Sequence, residues 1–373
     1  MKVEFYQHHL NEEDIQNVVR VLHSIFLTTG PVTAEFEQKF SRMTGVAHTV
    51  AVNSCTGAIH LALLALGIGP GDEVITTPLT FIASATPILQ AGAEPVFVDV
   101  EPDTGLLNPE FVESAITPRT KAILPVHLYG TMADMKAFRT IADRYKLALI
   151  EDAAHCIEGE RDDVRPGELS DAVCYSFYAT KNLTCGEGGA LGTNNPELAQ
   201  TVRTLRQHGM SKEAADRYHG TYQHWDMIEL GWKYNLNDIQ SALLVGQIDR
   251  LDALWKRRKM LWERYDSGLE HIAGIARPAI KGKSAFHLYT IWVSPEKRDH
   301  IVYALQQGDI GVTVNYRAIH TLTYFQRRYQ FGPQDFPVAH AIGQRTISLP
   351  LYPQLAESAQ DYVIESAKKS IFF

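Results

Sequence analysis

The residues best placed to do chemistry are a lysine and a carboxylate. Lys181 lies in Ser176-Phe177-Tyr178-Ala179-Thr180-Lys181-Asn182-Leu183, just past the apolar run 172–175, which reads as a buried strand. Upstream, Ala148-Leu149-Ile150 reads as a second strand and runs straight into Glu151-Asp152-Ala153-Ala154-His155. A lysine and an acid at the ends of neighbouring strands suit pyridoxal phosphate. The lysine forms a Schiff base with the aldehyde, and the aspartate keeps the pyridine nitrogen protonated so that the ring acts as an electron sink. Taken singly, Asp152 reads equally as a helix cap, His155 as a hydrogen-bonded core histidine and Lys181 as a side chain that snorkels to solvent. The Glu187-Gly188-Gly189 turn, which returns the chain to another strand, is what points to a constrained site.

Two further segments fit such a site. Ser54-Cys55-Thr56-Gly57-Ala58 precedes a helical stretch, and small residues there let backbone amides at a helix N-terminus face a phosphate. The plain alternative is an ordinary Ser or Thr N-cap. Thr77-Pro78-Leu79-Thr80-Phe81 follows a strand ending at Thr76, which brings Phe81 to the same sheet edge as Asp152, where it stacks on a flat ring or simply fills core. Cys185 has no activating neighbour in sequence and reads as packing.

The elements that position these residues alternate. Between about 45 and 195, β-rich runs at 74–76, 95–98, 122–124, 148–150, 173–175 and 190–192 interleave with helical patterns at 57–66, 81–90 and 135–145. That order predicts a mostly parallel, doubly wound α/β sheet with ligands beyond the carboxyl ends of its strands. A polar stretch, 211–229, then leads to a long amphipathic helix for which Asn237 is the expected N-cap. Past it come a strand at 288–293, a helix at 298–306 and a strand at 311–314, which read as a smaller α+β domain. The expected division is 1–250 and 251–373.

With 373 residues, 45% of them apolar, the chain can build two such cores. Its net charge of -8 argues against a nucleic-acid surface, and the one basic cluster, Lys256-Arg257-Arg258-Lys259, reads as a solvated helix face. Cys55, Cys156, Cys174 and Cys185 fall in no metal or disulfide pattern, so neither is expected and a reducing cytoplasm fits. The first residues are too polar for a secretory signal, and the apolar run near 58–69 is too short to span a bilayer.

Several separated motifs together resemble the DegT/StrS family of nucleotide-sugar aminotransferases, which have the type I pyridoxal-phosphate fold. They run from Leu27-Thr28-Thr29-Gly30-Pro31 through Tyr234-Asn235-Leu236-Asn237 to Ser348-Leu349-Pro350-Leu351-Tyr352-Pro353. The resemblance implies that Lys181 holds the cofactor covalently and catalyses, that Asp152 partners the pyridine nitrogen, that His155 contacts the phenolic oxygen and that Phe81 stacks on the ring. Cys55, Thr56 and Ser176 would bind the phosphate, and Asn235 would reach the phosphate in a neighbouring subunit, which implies a homodimer with shared sites. Cys55 departs from the family, which commonly has glycine there. Sugar dehydratases of the family have histidine in place of the lysine, so Lys181 implies transamination.

The stretch 176–189 and His155, where many relatives have glutamine, most resemble enzymes that aminate C4 of UDP-linked keto sugars. The implied reaction takes an amino group, from glutamate as expected donor, through pyridoxamine phosphate to a 4-keto-6-deoxy nucleotide sugar. Lipopolysaccharide and O-antigen are among the destinations of such sugars. Tyr316 and His320 align with a region lining the sugar site, though both read equally as small-domain packing. The competing readings are C3 amination of a dTDP-linked sugar, a pyridoxal-phosphate lyase and a non-catalytic regulator of the same fold.

Overall fold

The computed structural model describes residues 1–212 and 224–372. Its central sheet has seven strands: β1 His48–Val52, β2 Glu73–Thr76, β3 Glu94–Phe97, β4 Thr120–Leu124, β5 Ala148–Asp152, β6 Ala172–Ser176 and β7 Gly189–Thr193, in the order β1-β7-β6-β5-β4-β2-β3. Strands β2 to β6 are parallel, and β7 is antiparallel to both its neighbours. This is the mostly parallel α/β sheet expected. Every residue of β6 is buried, which accounts for its unbroken apolar pattern, because helices cover both faces of such a sheet.

A second sheet pairs β8 Tyr289–Trp292 with β9 Thr346–Leu349, antiparallel. Between the two sheets runs the helix Asp238–Leu269, with Asn237 as its N-cap accepting from Gln240 N–H, as expected. Its first half packs Leu244 and Leu251 with Phe36, Phe40 and Phe177 under the large sheet. Its second half gives Leu261, Tyr265 and Leu269 to the core of the small one. The division expected at 250 therefore falls inside a continuous helix. At its start, the buried carboxylate of Asp238 accepts from Gly30, Val32 and Thr33 N–H, capping the helix Pro31–Thr44.

Several expectations need correction. Residues 311–314 form no strand: Thr313 makes one bridge to Ser348 and Ile310 one to Val3, while β9 takes the place beside β8. The helix expected over 81–90 divides into a short turn, Ile82–Ser84, and a helix, Thr86–Gln90, with Pro87 confined to the first turn of the second, where no N–H is needed. The basic cluster is a solvated face only in part: Lys256 is exposed, but Arg258 is buried in an ion pair with Glu158, and Arg257 donates to the carbonyls of Pro353 and Leu355. Of the polar stretch at 211–229, residues 213–223 lie outside the described residues. No helix among the described residues is long and apolar enough to cross a membrane. All four cysteines are buried and free.

Candidate active site

Strands β5 and β6 end side by side and deliver Asp152 and Lys181 to one cavity of about 510 Å³ beyond the carboxyl edge of the sheet. Asp152 is the last residue of β5, and its carboxylate is buried. A buried carboxylate must be satisfied, and this one accepts from Ala154 N–H at 3.0 Å and from Ser84 Oγ at 2.6 Å, with Cys55 Sγ 3.8 Å away. Sequence reasoning missed Ser84. Its signal was the spacing Phe81 to Ser84, one tight turn that turns both toward the same edge. A hydroxyl donated to a carboxylate contributes about 1.5–3 kcal/mol. In Ser84→Ala, turnover should fall roughly tenfold to a hundredfold with the fold intact; unchanged turnover would reduce Ser84 to packing.

Lys181 is half-buried and lines the same cavity. Burial pushes its amine down to about 8, against a smaller upward pull from Asp152 and Cys55. A neutral amine is the nucleophile, so near neutral pH a useful fraction is already reactive. In the cofactor-free protein, the rate at which Lys181 captures an aldehyde should rise with pH and level off above about pH 8. A solvent-exposed lysine would keep rising to about 10.4, and that inflection would refute the burial argument.

The helix Cys55–Ala65 points its N-terminus at the same cavity. Ser54 caps it by accepting Gly57 N–H, and Ala58 N–H goes to Ser54 O, which leaves the amides of Cys55 and Thr56 at the cavity wall. Two amides at the positive end of a helix form a site for an anion. Gly189, the first residue of β7, permits this approach, since a Cβ there would lie 2.4 Å from Ser54 C and 2.5 Å from Cys55 N. Ser176, at the end of β6, lines the same wall and accepts Tyr178 N–H. Burial, with Asp152 adding to it, holds the Cys55 thiol well above its ordinary value, so it is a neutral group here.

His155 is also at the cavity and its tautomer is fixed. Its Nδ1 accepts Tyr129 N–H at 3.3 Å, which puts the proton on Nε2, 3.1 Å from Tyr316 Oη. Its other support is His287, whose ring lies 4.4 Å away. Asn182 donates to Glu158 and to Ala285 O, so its Oδ1 accepts from His287 Nδ1 at 3.1 Å. Burial and the nearby Lys181 push both histidines well below their ordinary value, so both rings are neutral. Tyr129, His287 and Asn182 carried no signal in the sequence, because they come from loops far from one another in the chain.

Cys55, Thr56, Phe81, Asp152, His155, Ser176, Lys181 and Tyr316 thus meet at one cavity. Phe81 is 53% exposed and free to cover a ligand, with its ring 5.7 Å from that of Tyr316. Two expected residues do not line it. Asn235 sits beside β1, bridged to Val52, with Nδ2 donating to Thr29 Oγ1 and Oδ1 buried without a partner. His320 is wholly buried against Phe336, with both ring nitrogens unpartnered, and burial brings it down to about 4. Its place is packing between the large and small sheets, where Ile319 N–H bonds Pro78 O.

The residues fit pyridoxal phosphate: an anion-binding helix end, a buried carboxylate for a ring nitrogen, an aromatic cover and a lysine with a depressed pKa share one cavity. On this fold, that set defines a pyridoxal-phosphate transferase. The sequence profile of the DegT/DnrJ/EryC1/StrS aminotransferase family matches residues 8–368, and the chain belongs to that family.

It is 42% identical over 368 residues to the spore coat polysaccharide biosynthesis protein SpsC of Bacillus subtilis, covering 96% of this chain and 94% of that one. Among solved structures it is similar to the PMP-form of the putative sugar aminotransferase Spr1654 from Streptococcus pneumoniae, with a TM-score of 0.94, 32% identity and coverage of 100% and 99%. It is also similar to S. venezuelae DesV in complex with a ketimine intermediate, with a TM-score of 0.89, 36% identity and coverage of 96% and 94%. The chain is a pyridoxal-phosphate-dependent sugar aminotransferase.

Proposed function

We propose that this enzyme moves an amino group from L-glutamate to C4 of a UDP-linked 4-keto-6-deoxy sugar. The observation that carries the reading is the meeting of Lys181 and Asp152 at one cavity, beyond the ends of neighbouring strands. Pyridoxal phosphate, when bound, supplies an electron sink conjugated to the reacting carbon. The chain's own residues do the rest. Asp152 holds a proton at the ring nitrogen, Lys181 Nζ takes a proton from the donor's α-carbon and returns one to the sugar carbon, and His155 donates from Nε2 to the phenolic oxygen. Cys55 and Thr56 amides, with Ser176, hold the phosphate.

We assign the working form as a homodimer in the cytoplasm. Trp225, Met227, Ile228 and Leu230 are exposed apolar residues in one short stretch, and Ile25 is 95% exposed, which supports a covering second copy. Asn235 reaches the cofactor phosphate of the neighbouring subunit, since its Nδ2 carries two hydrogens and Thr29 takes one. Residues 1–250 serve as the cofactor-binding unit, and 251–373 contribute Tyr316 to the acceptor side.

The test is the visible absorption of the purified protein before and after L-glutamate, then with a panel of UDP- and dTDP-linked keto sugars. Loss of the cofactor band with glutamate and its return with one UDP-linked 4-keto sugar supports the reading. Return only with a dTDP-linked 3-keto sugar replaces the acceptor, and no response to any amino acid overturns the reaction.

A further inference from the structure

We propose that the N-terminal segment is a fixed strap that places Phe5 in the wall of the active site as a specificity-determining contact for the acceptor sugar nucleotide. The proposal rests on the acceptor class read above. Phe5 is half-buried and lines the cavity together with Thr313, Asn315 and Tyr316, on the side contributed by the small domain. Nothing in the sequence singles it out.

The strap is pinned on both sides of Phe5. Val3 is buried in the small-domain core, donates its N–H to Asp309 O and accepts from Gly311 N–H, each at 2.8 Å. On the other side of Phe5, Tyr6 lies against Thr184 in the loop after β6, and His9 is buried facing Gln247 of the long helix. Thr184 and Gln247 are themselves joined by two hydrogen bonds. Val3 to His9 therefore bridges the small domain and the loop that carries Lys181. Gly311 permits the bridge to lie so close: a Cβ there would stand 2.4 Å from Phe5 N and 3.1 Å from Phe5 Cα.

A held aromatic ring gives contact area with little entropy left to lose. Its partner must offer an apolar or flat face. A deoxy sugar and its base have such faces, whereas an amino-acid donor is recognised by its charges. Phe5 therefore acts on one half-reaction.

In a ping-pong reaction kcat/KM for each substrate reports its own half-reaction, so the two can be separated. Phe5→Ala should lower kcat/KM for the keto sugar nucleotide converted by the wild type about tenfold, and should lower the value for L-glutamate by far less. Phe5→Tyr should restore the acceptor value. Gly311→Ala, which keeps phenylalanine at position 5 but displaces the strap that carries it, should show the same selective loss. Equal loss for both substrates, or no loss in Phe5→Ala, overturns the proposal. If the wild type converts no keto sugar nucleotide, the acceptor reading fails by that fact alone; if it does and Phe5→Ala retains its acceptor kcat/KM, only the strap fails.

Discussion

Replacing Lys181 by alanine should abolish transamination, with turnover down by about five orders of magnitude, while leaving the protein folded. The reasoning is geometric. Lys181 stands in the wall of the cavity that Asp152 also lines, so its amine moves protons within a bound complex instead of by collision with a base from solvent. Well-oriented internal transfers of this kind contribute about 7 kcal/mol or more, which is roughly 10⁵ in rate. The fold should tolerate the change because burial already disfavours the charged amine. A structural role and a proton-transfer role separate on rescue: small primary amines such as ethylamine should restore part of the rate in Lys181→Ala if the missing group is the base. Substantial turnover in the variant without added amine would remove Lys181 from the mechanism.

Much of this site was legible because parallel strands buried on both faces read as plain apolar runs, and the residue that ends such a run has one place to go. Asp152 closes β5 and Lys181 follows β6, so their proximity followed from the order of the runs alone. Asn237 was legible for a different reason: a cap acts within four residues, and its bond to Gln240 N–H is local. What the sequence hid is non-local. The support of His155 comes from Tyr129 and His287, which are brought together where Gly130 leaves room for the chain, since a Cβ there would lie 3.0 Å from His287 N. Strand β9 went unseen because its apolar signal is a short piece of the segment 346–349, and 311–314 looked like a better strand by composition. For His320 the two readings, sugar contact and packing, look alike in sequence, because only the packing shows that it is wholly buried and off the cavity.

The edge strand β1 was also unread, and it leads to a large expected effect on stability. β1 pairs with β7 on one side, so its other side presents backbone groups with no strand partner. At Ala51 these are taken by side chains: Glu37 accepts Ala51 N–H at 2.9 Å, and Arg206 donates to Ala51 O at 2.8 Å. Glu37 also pairs with Arg206 and Arg203, each at 2.6 Å. Those two guanidinium groups outweigh burial and hold the Glu37 carboxyl below its ordinary value, so it is charged at neutral pH. Glu37→Ala would remove the pair between Glu37 and the buried Arg206 and leave Ala51 N–H without its side-chain acceptor. Breaking such a buried pair costs about 3–5 kcal/mol. The urea midpoint should drop by the corresponding amount, and Glu37→Gln, which keeps an acceptor for Ala51 N–H, should lose less. Because β1 runs directly into Ser54 and the anion-binding helix end, cofactor affinity should weaken with it, although Glu37 does not line the cavity. An unchanged midpoint in Glu37→Ala would mean that the edge of this sheet is held by its packing and that the ion pair contributes nothing.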